Sequence, residues 1–289
     1  MSSKPLAYWA VVALLVCSSA FAQGPAKLRN EQPTIPVDEI IRKFAEKEKE
    51  FKTARANYVY RQDIRVQSLN ANDRVTGEWR QVWDVTFNSQ GKREERVILA
   101  PQDTLKGLVL TKEDLQDFRE IQPFVLTSDE VAKYNVKYLG KEIIDEIDCF
   151  VFDVAPKVME KGQRYFQGQI WVDDKDLQIV KSYGKAVPDI KTKDNDNLFP
   201  RFETYREQID GKYWFPTYTR AVDTLQFSSG AVRMRQVIKY ENYRKFESNV
   251  KLTFGDAVEG EGGANKGTST DTTKAPALDP RLKQPSTKK

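Results

Sequence analysis

The stretch GQIWVDDKDLQIVKSYG, residues 168–184, places Asp173, Asp174 and Asp176 within four positions between two hydrophobic runs. Carboxylates at such spacing can ligate calcium. A loop of the EF-hand kind, however, also needs a glycine at its sixth position and a bidentate glutamate at its twelfth, and neither follows here. Aspartate also favours tight turns because its side chain hydrogen-bonds to its own backbone. The flanks IWV and LQIV are strand-like, so the reading is a turn between two strands. Asp194 and Asp196 in KDNDNLFP (193–200) repeat the carboxylate spacing without completing a coordination shell. This segment reads as a solvated loop, with a rim over a cavity as its functional alternative because Leu198, Phe199 and Pro200 stand beside the charges.

The chain contains no histidine, which removes histidine-based triads, Cys–His dyads and histidine zinc sites together. Of its two cysteines, Cys149 lies in DCFVFDV, apolar on both faces, and reads as a buried thiol with no base to activate it. Carboxylates are numerous, but none is singled out as an acid/base pair. The sequence therefore predicts no catalytic, cofactor or metal residues. The net charge of +4 arises from cations interleaved with acids, which argues against a nucleic-acid partner.

The elements that would position any site are legible from periodicity. Residues 1–22 carry Lys4, an apolar run and then Ala20-Phe21-Ala22 before Gln23, the pattern of a secretory signal peptide and hence of periplasmic delivery. An uncleaved membrane anchor is one alternative, and a lipid attached to Cys17, at the end of the apolar LLVC, is another. Residues 23–35 read as an N-terminal extension. From 35 to 54, Val37, Ile40, Ile41, Phe44 and Phe51 form one stripe of an amphipathic helix. The period then changes to two: Tyr58, Tyr60, Ile64 and Val66 share one strand face, and Trp79, Trp83, Val85 and Phe87 share another. Residues 111–121 predict a second helix with Leu115, Phe118 and Ile121 as its stripe, and SDEVAKY a short third. Strands then return to residue 246, giving ten candidates. Residues 255–289, rich in Gly, Thr, Lys and Pro and without aromatics, read as a disordered tail.

Short turns between successive strands require antiparallel pairing. The expected fold class is mainly β (α+β): a large curved antiparallel sheet or incomplete β-barrel with helices covering its concave face. Such a sheet encloses volume that its side chains need not fill. Ile40, Phe44, Trp79, Trp83, Leu115, Phe118, Phe166, Ile170, Trp171 and Trp214 are the candidate cavity lining.

A strand ending Ile-Trp-Val-Asp, a short acidic turn and a returning Gln-Ile-Val-Lys, set after helix 37–54, hairpins and a helical insertion, resembles the LolA-like outer-membrane lipoprotein-sorting superfamily over residues 36–254. The stretch LFPRFETYREQIDGKYWFPTYTRAVDTLQF looks like an uncharacterised secreted branch grouped with it. The resemblance implies a helix-lidded incomplete barrel serving in the periplasm as a non-enzymatic carrier or chaperone for a lipid or acylated protein. It leaves open peripheral membrane contact, and use of the same fold as an envelope sensor binding a protein partner. Characterised carriers hold the lid with a strand arginine; Arg80, Arg93 and Arg96 lie in the corresponding region, without the family's Arg-Pro context.

Overall fold

The structure, a computed structural model, describes residues 28–191 and 196–246. The signal-peptide, Asp194 and tail expectations fall outside the described residues. Helix α1 (Val37–Arg55) opens with Asp38 and Glu39 and closes with Lys52 and Arg55, both favourable against the helix dipole. Strands β1 (Tyr58–Leu69), β2 (Val75–Phe87) and β3 (Arg93–Leu99) follow as a meander. A second meander comprises β4 (Tyr134–Ile144), β5 (Ile147–Pro156), β6 (Tyr165–Asp173) and β7 (Ile179–Val187). After a minor pair, β8 (Ile190–Lys191) and β9 (Asp196–Asn197), it continues into β10 (Arg201–Gln208), β11 (Trp214–Phe227) and β12 (Gly230–Lys245).

All main-sheet pairings are antiparallel, in the order β3-β2-β1-β12-β11-β10-β7-β6-β5-β4. The sheet is open. Ten strands belong to it, and the seam joining the two meanders is β1 against β12, registered from Tyr58 opposite Lys245 to Leu69 opposite Arg233. The edges β3 and β4 are consecutive in the chain, so residues 100–133 must travel from one edge to the other. This cover segment carries the expected helix only as α2 (Lys112–Gln116), which widens into a π turn at Asp117–Ile121; SDEVAKY contributes a 3-10 turn at Val131–Lys133.

Alternation along the strands sets two faces. On β1, Tyr60, Ile64 and Val66 point to the covered side, while Arg61 and Asp63 point away and pair with Asp84 and Arg80 of β2. Under α1, Ile40, Phe44 and Ala45 meet Phe152, Phe166, Ile170 and Phe202, all at or near zero exposure. Burying each such large side chain contributes about 1.5–3 kcal/mol. Under α2 and the segment before it, Phe118, Trp83, Val85, Met234 and Ile238 form a second cluster. Residues 28–35 of the N-terminal extension extend the β4 edge: Arg29 and Lys141 exchange both backbone hydrogen bonds (2.8 and 2.9 Å). Gly140 (φ +142°) permits this approach, since a Cβ there would lie 2.3 Å from the Arg29 carbonyl oxygen. No helix among the described residues is long and apolar enough to cross a membrane.

One charged pair is enclosed between α1 and the sheet. Glu48, fully buried in the helix stripe, accepts from Arg206 of β10 (3.0 and 3.2 Å) and from the backbone N–H of Ile179 (3.1 Å). Burial raises the Glu48 pKa, against the opposing effect of Arg206. Removing one partner strands the other charge. Glu48→Leu is therefore expected to cost about 3–5 kcal/mol. The double variant Glu48→Leu/Arg206→Met should be less destabilised than the single one. Denaturant unfolding of the three variants checks this order.

Candidate functional site

Among the described residues, the concave face has both an enclosing wall and a covering segment. At its β1–β12–β11 end, Val66, Met234 and Leu225 of the sheet, Phe118 of the π turn, and Leu108 and Leu110 of the cover segment surround a cleft of about 190 Å³. Its rim is polar, with Asp114, Asn197 and Gln236. Asp114 is tied by the capping box that starts α2: its carboxylate accepts from the Thr111 N–H and hydroxyl, both at 2.8 Å. Burial raises its pKa above the ordinary carboxylate value, against those hydrogen bonds.

The roof of the cleft is a strap, residues 104–111, pinned at both ends. At one end Thr104 exchanges hydrogen bonds with the Glu78 backbone (2.9 to 3.1 Å), and the Lys106 N–H donates to Ser68 Oγ (3.2 Å). At the other, Asn197 Nδ2 donates to Thr111 Oγ1 (2.6 Å). Between the pins, the backbone of residues 107–110 makes no hydrogen bond among the described residues. Leu105, Leu108 and Leu110 pack downward while Val109 is 82% exposed. Side-chain burial alone holds this stretch, so it belongs to the low-stability end of the structure.

The rest of the cover segment is docked far more firmly. Its irregular backbone crosses a buried surface, and side chains of the sheet satisfy it. Gln62 Nε2 donates to the Phe118 carbonyl (3.0 Å), Thr204 Oγ1 to that of Gln122 (2.8 Å), and Arg206 to that of Phe124. Gln236 and Gln122 bond through their side-chain amides, and Arg164 holds Asp117 through both carboxylate oxygens (3.0 and 2.6 Å).

The ten lining residues expected from sequence do not surround one cavity. Ile40, Phe44, Phe166 and Ile170 are packed under α1. Trp79, Trp83, Leu115 and Phe118 belong to the cluster beneath the cover, where Phe118 also lines the cleft. Trp171 and Trp214 lie on the other side of the sheet with Cys149, Val151 and Val180, which corrects their assignment. The pleat is the reason, because Ile170 and its neighbour Trp171 must face opposite ways. Lys181 covers the Trp171 ring (4.9 Å), and Glu142 accepts from its indole N–H (2.9 Å). The residues that do form the cleft, Leu108, Leu110, Leu225 and Met234, were missed. Those on the strap belong to no periodic element, although three leucines at 105, 108 and 110 in an otherwise polar connection were an available signal.

Of the three arginines considered for a lid role, Arg80 and Arg96 pair with Asp63 and Asp84 on the outer face. Arg93 points inward and donates to Gln62 Oε1 (2.7 Å), the same side chain that holds Phe118. The acidic turn also resolves into separate partners. Asp173 caps the turn by accepting from the Lys175 N–H (2.9 Å), Asp174 pairs with Lys141 (2.7 Å), and Asp176 accepts from Gln208 (2.6 Å). Burial, with the nearby aspartates, pushes the Cys149 thiol up to about 12, which keeps it protonated and unreactive.

No protein-family model matches the chain, and no curated protein matches it significantly. Several solved structures share its chain path. A DUF1329 family protein from Desulfovibrio piger matches at 17% identity and a TM-score of 0.38, covering 76% of this chain and 96% of that one. The LolA superfamily protein NE2245 from Nitrosomonas europaea matches at 13% and 0.33, covering 77% and 98%. A chain of the Pseudomonas aeruginosa MucA/MucB complex matches at 12% and 0.21, covering 69% and 98%. At these scores the likeness carries no argument about activity, ligand or partner; the superfamily that the sequence resembles is among them.

The strap rests on Gly77 of β2, where a Cβ would lie 2.0 Å from the Thr104 carbonyl oxygen. Gly77→Ala is thus expected to push the strap off its seat, costing about 1–3 kcal/mol. Amide hydrogen exchange should accelerate at residues 104–110 while the amides of residues 118–124 keep their protection.

Proposed function

We propose that the protein is a non-enzymatic, periplasmic carrier or chaperone that takes the acyl chain of a lipid or lipid-modified protein into the cleft beneath the 104–111 strap, in the service of outer-membrane lipoprotein sorting. The observation that carries this reading is the contrast within one cover: a strap that leucine burial holds between two hydrogen-bonded ends, over a cleft with apolar walls and a polar rim, beside a segment locked down by buried polar contacts. Each methylene transferred from water into such a cleft gains about 0.8 kcal/mol, so several suffice to make a lipid portable. The closed cleft, about 190 Å³, is smaller than the roughly 300–1,000 Å³ typical of ligand pockets, so entry requires the strap to lift. A mobile roof also provides for release. The sequence features of a secretory signal and the superfamily resemblance support the compartment and the client class.

A second reading is favoured by one observation. The edge strand β3 leaves one side unpaired and exposes Val97, Ile98 and Leu99. Such an edge can accept a strand of a partner, which suits an envelope sensor or interaction module.

Native mass spectrometry with lipid extraction, on protein gently purified from its own envelope, is expected to find one acylated molecule per chain. In a titration with a fluorescent fatty acid, Leu108→Glu should weaken binding at least about tenfold by placing a charge in the roof. Val109→Glu, one residue away and outward-facing, should bind as the parent does. Equal binding by both variants would sink the cleft assignment, and a specifically bound protein without lipid would favour the second reading.

A further inference from the structure

Behind the π turn, away from the strap, the end of α1, the β2–β3 turn and residues 119–134 and 160–165 enclose a second cavity, of about 510 Å³. Four guanidinium groups line it: Arg55, Arg93, Arg119 and Arg164, the last engaged by Asp117. Arg93 and Arg119 share a single carboxylate, Glu95, at 2.7 and 2.9 Å. Arg55 has no acid of its own. It faces the rings of Phe51 and Phe87 (5.7 and 5.9 Å), makes no hydrogen bond or ion pair among the described residues, and its Nε is buried without a partner. Glu48, whose carboxylate feels the Arg55 charge, is bonded to Arg206. Lys52 and Lys133 stand at the mouth with Glu120, Glu130 and Glu160, and Lys52 pairs with Glu130 (3.4 Å).

Four guanidiniums against two paired carboxylates, Glu95 and Asp117, leave two positive charges uncompensated on the wall of the cavity. An arginine does not escape this cost by losing its proton. A buried charge persists where a partner of opposite sign meets it. The two aromatic rings hold the planar Arg55 fork, whose free N–H groups match the oxygens of a tetrahedral anion. We propose that this cavity is a phosphate-binding site, with Arg55 as the contacting residue and Arg93 and Arg119 supplying the field behind it. The phosphate is either free or the head group of an anionic phospholipid. The site is independent of the strap cleft and of the acyl-chain reading, which could fail without affecting it.

The test compares thermal unfolding of the full mature chain in inorganic phosphate and in chloride at matched ionic strength, together with flotation on phosphatidylglycerol and phosphatidylcholine vesicles. At a hundredfold excess over its Kd, phosphate is expected to raise the wild-type Tm by roughly 5–10 °C. Arg55→Met should abolish that rise. In chloride it should be at least as stable as the wild type, because it removes an uncompensated charge, whereas a merely structural arginine would be missed. Arg55→Lys, which keeps the charge without the fork, should retain a reduced rise and serves as the reference where Arg55→Met fails to fold. A phosphate response in the wild type lost in Arg55→Met supports a free-phosphate site. Selective, Arg55-dependent flotation with phosphatidylglycerol alone supports a head-group site. Indifference of the wild type to both probes, or a response unchanged by either variant, overturns the proposal.

Discussion

The connection between β3 and β4 is the constraint on which the rest of the molecule depends. Both strands are sheet edges, yet they follow one another in the chain. Ten strands at about 4.8 Å spacing put those edges roughly 43 Å apart along the sheet, so the linking segment must cross a whole face. The concave face is the shorter way, and it is apolar. A backbone laid across it loses water on both N–H and C=O groups and must find partners there. The sheet provides them from inward positions that would otherwise be hydrophobic: Gln62, Thr204 and Arg206. These polar side chains in a core are the counterpart of an irregular cover, and the π turn at 117–121 marks where the cover departs from regular helix to meet them.

This arrangement divides the cover by stability. Where carbonyls are met by buried donors, detachment would leave both sides unsatisfied, an expensive event in a dry interior. Along the strap, detachment costs leucine area and the few hydrogen bonds of Thr104, Lys106 and Thr111, and on the proposed reading an incoming acyl chain would replace the lost area. One chain segment thus combines a fixed base with a replaceable roof. A carrier needs that combination, since a cover that is rigid throughout would neither admit nor release its cargo.

Much of this was legible in the sequence. The two-residue period of Tyr58 to Val66 and the stripe of Ile40, Phe44 and Phe51 fix which faces are buried, and short turns fix the antiparallel order. The stripe's gap between Phe44 and Phe51 also held a readable sign: Glu48 occupies the missing inward position, and a charge there implies a partner such as Arg206. What periodicity could not supply was the path of residues 100–133, because an irregular cover is shaped by the carbonyl partners that other strands offer. For the same reason the cleft was misplaced. Bulky aromatics mark burial on either face, and Trp171 and Trp214 fill an outer cluster that the pleat separates from the concave side.

Charge distribution bears on the enzyme question more sharply than any single motif. On the outer face, acids and bases pair across strands in ladders such as Arg61–Asp84–Arg96 and Lys181–Glu203–Arg220, where solvent makes each pair cheap. Under the helix and the cover, four carboxylates are engaged: Glu48 by Arg206, Glu95 by Arg93 and Arg119, Asp117 by Arg164, and Asp114 by its own helix cap. Three of them, Glu95, Asp117 and Asp114, hold the cover segment in place. Among the described residues, Arg55 is a buried cation without an ion pair, and such a cation favours an anion beside it. On the proposed readings, the interior serves recognition, with apolar surface under the strap and unmatched positive charge behind the π turn.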